Sequence, residues 1–301
     1  MARVLVISDV HLKPTMFDRA DKILESGQAD IAIQMGDLVD DWDQQYNLGL
    51  YSHTLQRAIK FQKDHPNTLW VLGNHDLGYW YPTLGVTESG HSGIVEGEVG
   101  TWFREMRRKG AKQDVMHVID GVVFTHAGLT KGWVDELIPD KFSEWKGTLE
   151  NVQYITNQAT PYELWRENSP IWVRPQQVHY EMYPAKLQVV GHTPMKTIEE
   201  ENHILSTDVF STYRDGRPIG TERFAIVDTE KGTWEVAMEP DHKRVIRNNP
   251  KLQMFIEFFE KELGTKFVDA DTGETITVEK EGPEKKDSKD DPENIIRVLR
   301  R

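Results

Sequence analysis

The chain has 301 residues, no cysteine, and a net charge of −13 from 36 basic against 49 acidic side chains. The missing cysteine excludes disulfides and thiolate metal sites, and the acidic balance disfavours nucleic acid, whose nonspecific binding needs a basic face. With 38% hydrophobic and 10% aromatic residues the composition suits a proper core, and no apolar run approaches the ~20 residues of a membrane span. The opening MARVLVISD makes a poor signal peptide, so a cytoplasmic protein away from the membrane is the expectation.

In chain order, five short apolar runs carry the organisation: RVLVIS (3–8), DIAIQM (30–35), TLWVL (68–72), GVVFT (121–125) and LQVV (187–190). Helical periodicity separates the first three, around Phe17–Ser26 and Tyr51–Lys63, and strands alternating with helices predict βαβ units on a central sheet. Residues 77–100, Gly-rich and bearing Tyr79, Trp80 and Tyr81, form a long loop insertion at the active site. Those aromatics are expected to pack over the sheet edge, with a lid or a nucleobase platform as the alternative. Residues 130–180 read as a helical, cap-like insertion holding Trp133, Trp145, Trp165 and Trp172. RFAIVDTEKGTWEVAM then gives two strands around a Lys-Gly turn, forming a second sheet or extending the first. A core domain is thus expected over 1–240. Beyond it, 241–301 would hold a helix at 252–263 and a charged, disordered tail at 279–293, with 295–301 docking back as a short helix or recruiting a partner.

Each apolar run ends in polar residues: Asp9 and His11, then Asp37, then Asn74, His75 and Asp76, then His126, then His192. A single Asp or Asn after a strand is usually a turn or cap residue. Five strand ends delivering such residues together are another matter, because ligands of open α/β sheets bind beyond the carboxyl ends of the strands. Four of the 11 histidines stand at these ends. Mixed nitrogen and oxygen donors without sulfur suit manganese, iron, cobalt, nickel or zinc better than magnesium or calcium. Six donors (Asp9, His11, Asp37, Asn74, His126, His192) exceed what one ion with an open position takes, but serve two ions if Asp37 bridges. Two dications set against two carboxylates and a hydroxide leave about one positive charge, enough to draw a phosphate to an acidic protein.

The ordered series SDVH, GDLVD, GNHD, THAGL and GHTP, spanning residues 1 to about 195, resembles the calcineurin-like metallophosphoesterase superfamily. The resemblance implies an α/β (α+β) fold, a four-layer αββα sandwich of two mixed β-sheets flanked by helices, with RFAIV…WEVAM in the core. It implies two divalent metal ions, manganese first with iron, zinc, cobalt or nickel as alternatives. Asp9 and His11 would hold one ion, Asn74, His126 and His192 the other, and Asp37 would bridge. His75 matches the catalytic histidine and Asp40 the carboxylate that orients it, leaving Asp76 as a helix cap or supporting partner.

GDLVD and HAGL are similar to the branch of Ser/Thr protein phosphatases and diadenosine tetraphosphatases. Pro194 also stands where many phosphodiesterases and nucleases of the superfamily carry a second metal-binding histidine. The branch usually reads GDxVDRG, whereas this chain reads GDLVDDW and lacks the phosphate-gripping Arg. Arg174, in SPIWVRP, is the candidate substitute, ahead of Arg166. Asp41 and Asp43 read as a solvated acidic loop. The expectation is a dinuclear metal-dependent phosphoesterase acting on a phosphorylated small molecule, nucleotide or phosphoprotein. A phosphodiesterase or nuclease is the alternative, and a metal-depleted, non-catalytic scaffold is the least favoured.

Overall fold

The computed structural model describes residues 2–138 and 147–239, together with the backbone of three strands at 266–269, 275–276 and 295–298. The chain divides into two units, Met1–Met238 and Glu239–Arg301.

The first sheet is built on four parallel strands, β1 (Arg3–Ile7), β2 (Ile31–Gln34), β3 (Leu69–Val71) and β4 (Lys112–Asp114). The helices between them are α1 (Thr15–Glu25), α2 (Leu48–Asp64), α3 (Asn74–Trp80) and α4 (Glu96–Arg108). Parallel strands covered on both faces need near-continuous apolar sequence, which β1 supplies with Val4, Leu5, Val6 and Ile7 all buried. The helices bury one face only: α1 turns Met16, Phe17, Ala20 and Ile23 inward, and α2 starts where the Asn47 side chain accepts a hydrogen bond from the Leu50 amide.

The second sheet runs β5 (Met116–Ile119), β6 (Val122–Thr125), β7 (Leu187–Val190), β9 (Ile204–Ser206) and β8 (Glu199–Glu201), with β6, β7 and β9 parallel. Side chains alternate across its faces. Val122 and Phe124 enter the core between the sheets, whereas Val123 packs under the outer helices with Leu129, Trp133 and Val152. Those helices are α5 (Lys131–Leu137), α6 (Leu149–Thr156) and α7 (Pro161–Leu164). Two mixed sheets between helical layers make the four-layer sandwich. The late strands β10 (Ala225–Asp228) and β11 (Thr233–Val236) extend the first sheet, β10 lying antiparallel to β1.

Some expectations change in detail. The long loop shrinks, because α3 runs to Trp80 and a single 3-10 turn occupies Pro82–Leu84, leaving 85–95 irregular. Segment 295–301, raised as a short helix, contains strand β14 (Ile295–Val298), which pairs in parallel with β12 (Lys266–Asp269). β13 (Thr275–Ile276) completes that small sheet. The expected helix at 252–263, the charged tail at 279–293 and Trp145 lie outside the described residues.

Close backbone approach at the carboxyl edge of the first sheet depends on glycine. Gly36 has φ +98°, and a Cβ there would stand 2.6 Å from the Gly73 nitrogen and 2.9 Å from His126 Nδ1. Gly36→Ala is therefore expected to cost about 2–4 kcal/mol from overpacking and a left-handed backbone, lowering Tm by roughly 5–15 °C in thermal denaturation.

Candidate active site

All five strand exits converge at the seam between the sheets. β1, β2 and β3 deliver Asp9, His11, Asp37, Asn74 and His75, and β6 and β7 deliver His126 and His192. The backbone turns abruptly there: His11, Asp37, Asp40 and His192 have φ of 41°, 51°, 67° and 63°. L residues rarely occupy the left-handed region, and such conformations collect at functional sites.

Asp37 is central. Its Oδ2 lies 3.3 Å from His126 Nε2 and 3.7 Å from His11 Nε2, and its Oδ1 accepts a hydrogen bond from the His75 amide at 2.9 Å. His126 Nε2 is also 3.0 Å from Asn74 Oδ1 and 4.0 Å from Asp9 Oδ1. Asp9 Oδ1 accepts the His192 amide at 2.9 Å, while its Oδ2 accepts the Ser8 hydroxyl.

Two histidines have their tautomer set from behind. His126 Nδ1 faces the Met35 carbonyl at 2.7 Å and His11 Nδ1 the Asp40 carbonyl at 2.8 Å, so each Nδ1 carries the hydrogen that bonds its carbonyl. Each Nε2 is left turned toward Asp37. Among the described residues, His192 Nε2 is buried without a hydrogen-bond partner. An orphaned ring nitrogen is costly unless something occupies its lone pair.

Burial opposes charge on His126, but the Asp37 carboxylate outweighs it and pushes the pKa up to about 9. Burial, reinforced by His126 and Arg174, holds His192 well below the usual histidine range. Burial and then Asp208 push Asp9 well up, while Asp37 lies well below the carboxylate range because its histidine neighbours overcome burial.

These residues fit divalent cations. Two groups, His11–Asp37–His75 and Asp37–His126–His192, each present ligand atoms within 4.8 Å of one another, and both contain Asp37. Asp37 is thus the residue that the two groups share. Asp9 lies 4.0 Å from His126 and accepts the His192 amide, and His75, read as catalytic, belongs to the first group.

Beside this centre, Asp40 is fully buried. Its Oδ1 accepts the hydroxyls of Tyr51 (2.9 Å) and Tyr79 (2.6 Å), and its Oδ2 faces His75 Nδ1 at 3.3 Å. Burial works against an imidazolium at His75, but Asp37 and Asp40 outweigh it and push the pKa up to about 9. Asp76 supports the whole corner, its carboxylate accepting the amides of Asp37 (2.9 Å), Leu38 (3.1 Å) and Gly73 (3.0 Å).

A cleft of about 300 Å³ opens over the centre, lined among others by His75, Glu88, Trp42, Trp172 and Arg174. Arg174 Nη1 donates to the His192 carbonyl at 3.2 Å, so a guanidinium does stand in the cleft. Arg166 pairs with Glu136 at 3.0 Å, half exposed and outside the lining. Tyr79 is buried, stacked on His91 at 4.3 Å, and Trp80 packs on Phe103. None of Tyr79, Trp80 and Tyr81 lines the cleft, so they are packing residues and not a nucleobase platform. Asp43 is solvent-exposed and paired with Arg214 at 3.0 Å, as in a solvated acidic loop, whereas Asp41 is partly buried, lines the cleft and pairs with Lys13 at 3.4 Å.

Sequence reasoning missed three participants. Asp208, buried just after β9, is felt electrostatically at both Asp9 and His11. ILSTD repeats the strand-then-acid pattern, but a three-residue strand is too short to stand out. Trp42 and Glu88 reach the cleft from loops, where no periodicity marks them.

Asp76→Ala would strand three buried amides at once. It is expected to cost roughly 3–5 kcal/mol in denaturant unfolding.

No curated protein gives a significant match to the chain. Among solved structures, a hypothetical protein from Pyrococcus horikoshii OT3 is 13% identical, covering 87% of this chain and 98% of its own at a TM-score of 0.37. A metallophosphoesterase from Sphaerobacter thermophilus is 14% identical, covering 84% and 98% at a TM-score of 0.35. An archaeal phosphodiesterase is 15% identical, covering 78% and 98%, also at 0.35. Likenesses this remote carry no argument about substrate. The family model for calcineurin-like phosphoesterases matches residues 2–211, more than half of the chain and every candidate metal ligand; the chain belongs to that family of metal-dependent hydrolases of phosphate esters.

Proposed function

We propose that the chain is a dinuclear phosphoesterase of the phosphatase and diadenosine-tetraphosphatase type, hydrolysing phosphomonoesters, as on phosphoproteins, or dinucleoside polyphosphates. The observation that carries this reading is the convergence on one cleft of Asp37, shared by two ligand groups, with His75 backed by Asp40 and with Arg174.

In this reading Asp9, His11, Asp37, Asn74, His126 and His192 would hold two divalent cations. When bound, such a pair supplies Lewis acidity that polarises phosphoryl oxygens and acidifies water at neutral pH. Manganese is the first choice of metal for this donor set. Arg174 grips a phosphate oxygen in place of the Arg that the sequence lacks after Asp40. The bond from phosphorus to the leaving oxygen breaks as a bond to a water oxygen forms, and the departing oxygen takes a proton from His75. Asp40 keeps that imidazole charged and aimed: Nδ1–H donates to the carboxylate, which leaves Nε2–H for the leaving group. The two tyrosine hydroxyls fix Asp40 in turn.

Pro194 lines the cleft where many diesterases of the superfamily have a further histidine, which supports the monoester side of the reading. In an assay with manganese and p-nitrophenyl phosphate, the wild type is expected to turn over. His75→Asn should lose about 10²–10⁴ in kcat, and Arg174→Ala should mainly raise KM, by about tenfold. Wild-type rates from His75→Asn, or faster turnover of bis-p-nitrophenyl phosphate than of the monoester, would contradict the assignment.

A further inference from the structure

The irregular segment 85–95 is held firmly against the active site. The Tyr51 hydroxyl, which donates to Asp40, also lies against the Gly90 carbonyl at 3.2 Å. The Ser92 amide donates to the Tyr79 hydroxyl at 2.8 Å, and the Ser92 hydroxyl to the Gln45 carbonyl at 2.6 Å. At Gly90 the backbone runs so close to Asp41 that a Cβ would stand 2.8 Å from the Asp41 carbonyl oxygen. The His91 amide closes a turn onto the Glu88 carbonyl at 3.1 Å. The two tyrosines that fix Asp40 therefore also fix the turn that presents Glu88 to the cleft.

Glu88 has an odd position for a phosphatase. Its side chain is half-buried in the cleft lining, within electrostatic reach of His75, Asp40 and Arg174. Among the described residues it has no side-chain hydrogen bond and no ion pair, and it belongs to neither ligand group. Burial holds its carboxyl above the usual range. A site for phosphate gains nothing from an uncommitted carboxylate beside the anion. The carboxylate is useful only if it addresses another part of the substrate. Trp42 and Trp172 line the same cleft, and indole faces attract ammonium groups.

We propose that Glu88 selects the alcohol half of the substrate: it accepts an ammonium or hydroxyl group on the leaving group and rejects leaving groups that carry negative charge. This rests on the phosphoesterase reading and divides its two substrate classes. Phosphomonoesters of amino alcohols or of other hydroxyl- or cation-bearing alcohols are favoured. Dinucleoside polyphosphates, whose leaving groups are themselves phosphorylated, are disfavoured.

Non-hydrolysable phosphonates separate this from catalysis. With the manganese-loaded full chain, calorimetry would compare 2-aminoethylphosphonate, ethylphosphonate and 3-phosphonopropionate, which share the phosphonate and differ in tail charge. The ammonium compound is expected to bind about tenfold more tightly than the carboxylate compound. Glu88→Gln should bring that ratio to within about twofold, and Glu88→Lys should reverse it. The readout is a ratio within each protein, which a general loss of folding or metal would not move. A wild-type ratio near one, or the same ratio in Glu88→Gln, would overturn the proposal. Turnover of p-nitrophenyl phosphate by the same preparation tests the phosphoesterase reading separately. Turnover with an unchanged ratio removes only the role of Glu88, and absence of turnover removes the reading on which that role rests.

Discussion

Asp37 stands between two imidazoles, 3.3 Å from His126 and 3.7 Å from His11, with a left-handed backbone of its own. Almost every unusual feature nearby serves that placement. Gly36 lets β2 turn against Gly73, Asp76 ties the Asp37, Leu38 and Gly73 amides into one corner, and the Met35 and Asp40 carbonyls orient the two histidines. A carboxylate buried to this degree is expensive unless cations surround it. The imidazoles of His75 and His126 face it, and the carboxylate in turn raises the pKa of each against the effect of burial.

The two sheets contribute unequally but jointly. Asp9, His11, Asp37 and Asn74 come from the first sheet, and His126 and His192 from the second. Cations held by both sets would cross-link the sandwich at its open edge. Binding only to the folded state stabilises that state by mass action, so metal affinity and fold stability are coupled in this architecture. The orphaned His192 nitrogen and the elevated Asp9 carboxyl are costs that such binding would relieve.

Much of this was legible in the sequence because a buried apolar run that stops at Asp, Asn or His is physically conspicuous. RVLVIS before Asp9, DIAIQM before Asp37 and GVVFT before His126 all marked real strands. The late hairpin was also visible, its Lys-Gly turn confirmed by Gly232 at φ +67°. Strands such as β4, reading KQD, and β8, reading EEE, carry no apolar pattern, and only their neighbours make them strands. β5 left a usable signal in Asp120-Gly121, both at positive φ as a tight two-residue hairpin turn requires. The packing of Tyr79 was legible but not its partner, because the Asp40 carboxylate that takes its hydroxyl lies far away in sequence. Glu88 was invisible for the same reason, since tertiary contacts shape its loop.

The account stands or falls on Asp37 being shared by two cations. Crystals of the chain soaked in manganese chloride and measured for anomalous scattering test that most directly. Two anomalous peaks are expected, each within coordination distance of Asp37, one on the His11 side and one beside His126 and His192. A single peak, or peaks away from Asp37, would contradict it.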